Sequence, residues 1–284
     1  MALSKVKDYL DMLDFSNTLF GLPFAYLGAF LAQNGQITWH QFLWITVAMV
    51  SARTAALSLN RLIDLPFDAA NPRTASWVMP SGRLPTGLVW AGVFFFLALL
   101  FLSAAQLNPL CLKLAPLAVI VLWGYSYTKR FTWWCHLLLG MAIGMGPIGA
   151  WFAITGNFDW QPFLIGAAVA FWIAGFDTMY ACQDIEFDRQ AGLYSIPARF
   201  GEDKALMFSM VFHLLTIIFL ILTGLVLQLG GWYYLGVLIA ALVLVYEHRI
   251  VRPGDLTRVN QVSFQFNHYV GLVILLTALA DIYL

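Results

Sequence analysis

Apolar residues run along this chain in blocks rather than in alternation. Blocks near 15–33, 41–59, 86–106, 110–127, 133–154, 162–181, 204–228, 231–247 and 263–283 carry few charges and are parted by short polar breaks. Each is close to the ~20 residues an α-helix needs to cross the hydrocarbon core of a bilayer. A membrane β-barrel would instead show alternating segments of about ten residues. The pattern predicts an all-α, polytopic membrane protein of nine transmembrane helices, built as one domain over residues 1–284. Between the blocks at 86–106 and 110–127 the break is Asn108-Pro109, a turn signal.

Composition agrees with the blocks. The chain is 61% hydrophobic and 11% charged, where soluble domains run to about 45–50% apolar and about 25% charged. That leaves too little charge to cover a surface facing water. Cys111, Cys135 and Cys182 are scattered and fit neither a disulfide framework nor a zinc site. The stretch up to Asp14 is polar and lacks the apolar-then-small pattern of a cleaved leader, so no removable signal is expected.

The distribution of charge sets the expected orientation. All Lys and Arg except Arg53 and Lys113 fall on the side that carries the N-terminus, which places that side in the cytoplasm. The expected location is the cell inner (plasma) membrane, with the N-terminus and the site facing the cytoplasm. The acidic residues share the bias, with only Asp159 and Asp281 outside. Acids and bases interleaved on one face suit a metal bound together with a polyanion, and nothing points to nucleic acid.

Two stretches carry the chemistry. Arg53, Asn60, Asp64 and Asp68 lie at the end of the second block, within roughly 80° of one another at about 100° per residue. Pro66 is expected to end or kink that helix and to leave Asp68 in a loop. Arg53, Asn60 and Asp64 are matched 124 positions later by Asp177, Asp184 and Asp188 at the end of the sixth block. An even number of spans parts the copies, so both emerge on one side. The offsets suggest two pseudo-repeat halves, about 15–130 and 133–284, with one acidic motif each. Mg²⁺ takes oxygen ligands from one or two carboxylates plus substrate phosphates, so two such clusters suit metal-bound diphosphate. Arg73, Lys129, Arg130 and Arg199 are candidate phosphate partners. The plain alternative, charges solvated at membrane edges, explains one acidic motif but explains two on one side less well. Arg53 and Asp177, deeper in their spans, are functional candidates because charge within a membrane is costly.

Four ordered motifs carry a resemblance. Asn60-Arg-Leu-Ile-Asp64-Leu-Pro-Phe-Asp68 resembles the first aspartate-rich motif of the UbiA superfamily of intramembrane prenyltransferases. Tyr180-Ala-Cys-Gln-Asp184-Ile-Glu-Phe-Asp188, followed by Ser195 and Arg199-Phe-Gly201, resembles the second. Tyr125-Ser-Tyr-Thr-Lys129-Arg130 is similar to the loop after the fourth span, and Arg73-Thr74 with Pro80-Ser81-Gly82 to the segment after the first motif.

The resemblance implies nine helices around a central cavity with cytoplasmic helical caps. It also implies Mg²⁺-dependent transfer of a polyprenyl group from an allylic diphosphate to an aromatic acceptor. By position, Asn60, Asp64, Asp68, Asp184 and Asp188 would hold Mg²⁺ and diphosphate, and Arg73 and Lys129 would contact phosphate. Arg53 would meet the acceptor carboxylate, and Ser195 joins the substrate-binding set. Arg61 stands where some members have Asp, and Asp14 and Asn17 stand where a basic residue is often found.

Tyr125, Tyr127, Phe176 and Tyr180 offer aromatic faces to an allylic cation. Asp177 is either the proton acceptor or a group that orients a neighbouring helix. Both a 4-hydroxybenzoate-type acid of ubiquinone biosynthesis and 1,4-dihydroxy-6-naphthoate of menaquinone biosynthesis carry a carboxylate and a phenol, so either fits Arg53. A secondary transporter is the rival of another class, but its site would lie near the bilayer midplane. Substituting Asp64 or Asp184 is expected to abolish turnover with folding intact.

Other features read as structural. His136, His213 and His268 are too far apart to argue for a metal site. Gly140, Gly144, Gly146 and Gly149 suit close helix packing. Trp133, Trp134, Trp151, Trp160, Trp232 and Tyr233 suit an interfacial belt. Glu247, His248, Arg249 and Arg252 suit a solvated loop.

Overall fold

A computed structural model describes residues 2–13, 21–261 and 266–284. Asp14, Asn17 and the start of the first apolar block lie outside the described residues. Those described form helices α1 (Ala2–Leu13), α2 (Leu22–Ala32), α3 (Trp39–Ala70), α4 (Thr86–Leu107), α5 (Pro109–Gly124), α6 (Cys135–Thr155) and α7 (Pro162–Ala181). After them come α8 (Ile185–Gln190), α9 (Ile196–Phe200), α10 (Glu202–Leu227), α11 (Gly231–Ile250), the single turn α12 (Val259–Gln261) and α13 (Asn267–Tyr283). Short 3₁₀ turns at Tyr125–Arg130 and Cys182–Asp184 extend α5 and α7.

Seven of these helices are long and apolar enough to cross a membrane, and α2 and α13 are shorter apolar helices. The nine expected spans are compatible with that count. Large apolar side chains such as Phe94, Phe95, Ile120, Leu214, Leu225 and Leu242 point outward. In water so much exposed apolar surface would be a liability; in lipid it is the natural exterior. The interior is built around Phe24, Leu27, Ile165, Trp172, Leu220 and Ile274, contributed by α2, α7, α10 and α13.

Local sequence explains the boundaries. Thr38 and Gln41 form a reciprocal capping box at the start of α3. Asn108 closes α4, caps α5 by accepting from the Cys111 amide at 2.9 Å, and donates to the Phe152 carbonyl at 2.8 Å. Pro109 then takes the first helical position, where its missing N–H costs nothing. Helices α6 and α7 approach so closely that a side chain at Gly140 or Gly144 would meet the backbone of Ala170 or Gly166, as small residues at a membrane helix interface allow.

Three expectations change. Pro66 does not end α3, and Asp68 is helical. A proline removes one ladder bond, here the one to the Leu62 carbonyl four residues back, which a single helix of this length tolerates; the neighbouring Ile63 carbonyl accepts from Arg130 Nη2 at 2.6 Å. Trp151 and Tyr233 belong to the core rather than to an interfacial belt. Their polar ends find internal partners, Asp159 at 2.9 Å and the Leu220 carbonyl at 2.9 Å, so burial leaves no orphaned donor. Glu247 is fully buried rather than solvated.

Helix α3 has 32 residues and is therefore about 48 Å long, well over the ~30 Å of hydrocarbon. Its last turns, which carry Asn60, Asp64 and Asp68, can project past the membrane core. The second motif is reached differently: α7 breaks into the 3₁₀ turn at Asp184 and restarts as α8, with α9 behind it.

Candidate active site

The two acidic stretches meet. Asp64 and Asp68 from α3, Asp184 and Asp188 from the α7–α8 junction, and Arg73, Lys129 and Arg130 line one small recess. That recess adjoins a cavity of about 1040 Å³ whose wall includes Arg53, Asn60, Asp64, Asp68, Arg73, Tyr125, Lys129, Asp177 and Asp184. Ile45, Leu107 and Ala153 line the same cavity and make its far part apolar.

On the α3 side, Asn60 Nδ2 donates to Asp64 Oδ2 at 2.8 Å. Arg130 stands 4.0 Å from Asp64, and Arg61 stands 3.7 Å from Asp68. On the other side the carboxylates are gripped. Arg73 donates from Nε to Asp184 Oδ1 at 2.9 Å and from Nη2 to Oδ2 at 2.5 Å. Asn71 donates to Asp184 Oδ1 at 2.9 Å, and Arg73 Nη1 donates to the Tyr180 hydroxyl at 2.9 Å. Burial works against the charge of Arg73, but its bonds to Asp184 outweigh this and hold its pKa above the ordinary arginine value. Asp188 is fully buried, 3.1 Å from Lys129 Nζ, and accepts from Ser195 Oγ at 2.9 Å. The 3₁₀ turn bearing Lys129 is tied to the loop after α8 by the Tyr194 amide, 2.7 Å from the Lys129 carbonyl.

Two residues expected at the site lie elsewhere. Arg199 sits on α9 with its guanidinium over the Phe200 ring at 5.5 Å. Ser195 is buried behind Asp188 and caps α9 by accepting from the Ala198 amide at 3.2 Å; its contact with the site is through Asp188. Tyr125, Phe176 and Tyr180 line the cavity, whereas Tyr127 is 39% exposed with the Arg130 guanidinium 5.1 Å from its ring.

Residues that sequence reasoning missed also converge here. Trp77 lies against Arg61 at 4.2 Å and Arg73 at 5.5 Å. Asn71 follows Asp68 by three positions and precedes Pro72, a turn signal that marks its place but not its bond to Asp184. His136 lines the cavity and pairs with Asp177; as an isolated histidine it gave no signal.

Among the described residues no three His, Cys, Asp or Glu side chains already form a metal cage. The donors around the recess are nevertheless carboxylate and amide oxygens from two sides. Such a set fits a hard divalent cation that takes its remaining ligands from phosphate and water.

The sequence model of the UbiA prenyltransferase family matches residues 21–270. The chain belongs to this family. It is 30% identical over 247 residues to the 4-hydroxybenzoate octaprenyltransferase of Vibrio campbellii, covering 87% of this chain and 86% of the relative. Among solved structures it is similar to the apo form of a UbiA homolog from Aeropyrum pernix K1. That match has a TM-score of 0.86 and 33% identity, and covers 93% of this chain and 97% of the other. A UbiA homolog from Archaeoglobus fulgidus bound to DMAPP and Mg²⁺ shares the fold, with a TM-score of 0.64 and 22% identity over 94% of this chain and 99% of that one. As a UbiA member with many apolar helices, the chain is a multi-pass membrane protein.

Proposed function

We propose that this UbiA protein transfers a polyprenyl group from an allylic diphosphate to 4-hydroxybenzoate, the step its octaprenyltransferase relatives are named for. The observation that carries the reading is the convergence of two acidic motifs and three basic side chains on one recess at the mouth of a deep, apolar-ended cavity. The whole chain acts as a single domain, with one motif from each of the halves 15–130 and 133–284. It lies in the inner membrane with the recess toward the cytoplasm, where most of its basic residues fall.

Asn60, Asp64 and Asp68 with Asp184 and Asp188 would hold Mg²⁺, which when bound neutralises diphosphate charge and favours its departure. Arg73, Lys129 and Arg130 hold the diphosphate from the same recess. Their charge stabilises the leaving group as the allylic C–O bond breaks and both electrons stay on oxygen. Tyr125, Phe176 and Tyr180 face the resulting cation, and the apolar part of the cavity takes the tail. Arg53, seven residues and so about 10 Å below Asn60 along α3, pairs with the acceptor carboxylate and sets the ring beside the allylic carbon. The ring supplies the electron pair for the new C–C bond.

Purified protein in detergent or lipid should join labelled polyprenyl diphosphate to 4-hydroxybenzoate with Mg²⁺ and stop when the metal is chelated. No prenylated product under these conditions would reject the reading. Running 1,4-dihydroxy-6-naphthoate in parallel decides between the two acids, because Arg53 serves either carboxylate.

A further inference from the structure

Arene prenylation ends when the ring carbon that has gained the prenyl group loses its proton, and that step needs a base inside the cavity. Resting on the reading above, we infer that Asp177 is that base and that His136 is its positioning residue. His136 Nδ1 lies 2.7 Å from Asp177 Oδ2. The Ile196 amide donates to His136 Nε2 at 3.4 Å, so the hydrogen-bond network puts the ring proton on Nδ1, pointing at the carboxylate. His136 is 2% exposed while Asp177 is 27% exposed, and both line the cavity. A closed histidine thus holds a carboxylate that faces the substrate space.

Depth places this carboxylate where the reaction needs it. Arg53 precedes Asn60 by seven residues, and Asp177 precedes Asp184 by seven. Arg53 is therefore about 10 Å below Asn60 along α3, and Asp177, reached through the last turn of α7 and the 3₁₀ turn at Cys182–Asp184, is about 12 Å below Asp184. Both line the same cavity, so an acceptor whose carboxylate is held by Arg53 shares that space with the Asp177 carboxylate. The C–H bond pair returns to the ring, the proton passes to the Asp177 carboxylate, and aromaticity is restored with diphosphate already gone. The same 124-residue correspondence that pairs the motifs pairs a cation for the acceptor with an anion for its proton.

The test is the rate of transfer to acceptor deuterated at the ring positions that are prenylated. In the unmodified enzyme deprotonation follows the slow ionisation, and deuterium is expected to have little effect. Asp177→Asn keeps the shape and should lower kcat by about 10²–10⁴-fold, with both KM values little changed and a primary isotope effect newly visible. His136→Phe should shift both readouts the same way but less, and His136→Asn, which keeps a donor near Nδ1, should restore them. Transfer by Asp177→Asn at the unmodified rate, or slowed transfer without an isotope effect, would overturn the assignment. If its transfer falls below detection, diphosphate release from the donor decides: normal release supports the base, and lost release rejects it. The assay uses whichever of the two acids the unmodified enzyme prenylates, so failure on 4-hydroxybenzoate alone refutes the acceptor and not the base.

Discussion

The two acidic motifs have the same spacing but are held in opposite ways. Asp64 and Asp68 extend from a continuous helix, 25% and 16% exposed, with their nearest cations at 4.0 and 3.7 Å. Asp184 and Asp188 are 8% and 0% exposed, and Arg73, Asn71, Lys129 and Ser195 hold them directly. The α3 motif is thus open to an incoming cation, whereas the other is woven into the fold. Arg73 and Lys129 serve both ends of this contrast: they neutralise the buried carboxylates and face the recess proposed for the diphosphate. A bound anion would have to share these bases with Asp184 and Asp188, and an added divalent cation would make that sharing favourable.

The largest expected effect comes from stranding a buried charge. Lys129→Met leaves Asp188 buried with Ser195 Oγ but without its cation, and breaking such a pair costs about 3–5 kcal/mol. Arg130→Met removes a half-exposed partner at 4.0 Å from Asp64 and one bond to the Ile63 carbonyl, strands no buried charge, and should cost less, about 1–2 kcal/mol. Thermal unfolding in detergent compares them; equal loss of Tm would break the contrast between the motifs.

Next in size is activity without loss of stability. Asp64→Ala should lower kcat by about 10²–10³-fold, as removing one group that acts on developing charge does. Its Tm should hold or rise slightly, because Asp64 and Asp68 are like charges one helical turn apart. Asp184→Ala should lose activity and Tm together, since it strands Arg73 and Asn71. This amends the simple expectation that both substitutions leave folding intact. A drop in Tm for Asp64→Ala as large as that for Asp184→Ala would contradict it.

Much of this arrangement was legible from spacing. Span lengths, the shared side of the motifs and the depth of Arg53 all follow from helix geometry and the need to keep charge out of lipid. What escaped depends on contacts between segments distant in sequence. The bond from Asn71 to Asp184 crosses 113 positions, and nothing local marks Ser195 as a support for Asp188 rather than a substrate contact. Pro66 misled because a proline costs a long helix one ladder bond without ending it, and α3 runs on through it to Ala70. Trp151 and Tyr233 misled because an aromatic near a helix end looks the same whether its polar atom meets water or an acceptor of the protein itself.

One layer below the motifs the contrast becomes one of sign, with Arg53 in one half and Asp177 in the other. Arg53→Ala should raise the acceptor KM by about 10–100-fold, the value of a charge-assisted pair of about 1.5–3 kcal/mol, and leave the donor KM nearly unchanged. Equal effects on both substrates would show that the halves do not divide the two substrates between the layers.

The smallest expected effect tests the link between the two sides. Trp77 lies against Arg61, which faces the open motif, and against Arg73, which grips the closed one. A cation–π contact at such a half-open position is worth about 0.5–1 kcal/mol. Trp77→Leu keeps the apolar bulk but removes the ring face, so Arg61 and Arg73 lose their common support. The donor KM should rise by roughly 2- to 5-fold while the acceptor KM stays put, because the ring supports Arg61 and Arg73 in the layer proposed for the diphosphate. If Tm falls without a change in donor KM, Trp77 merely packs the turn at 71–85, and the two motifs are coupled through bound ligand alone.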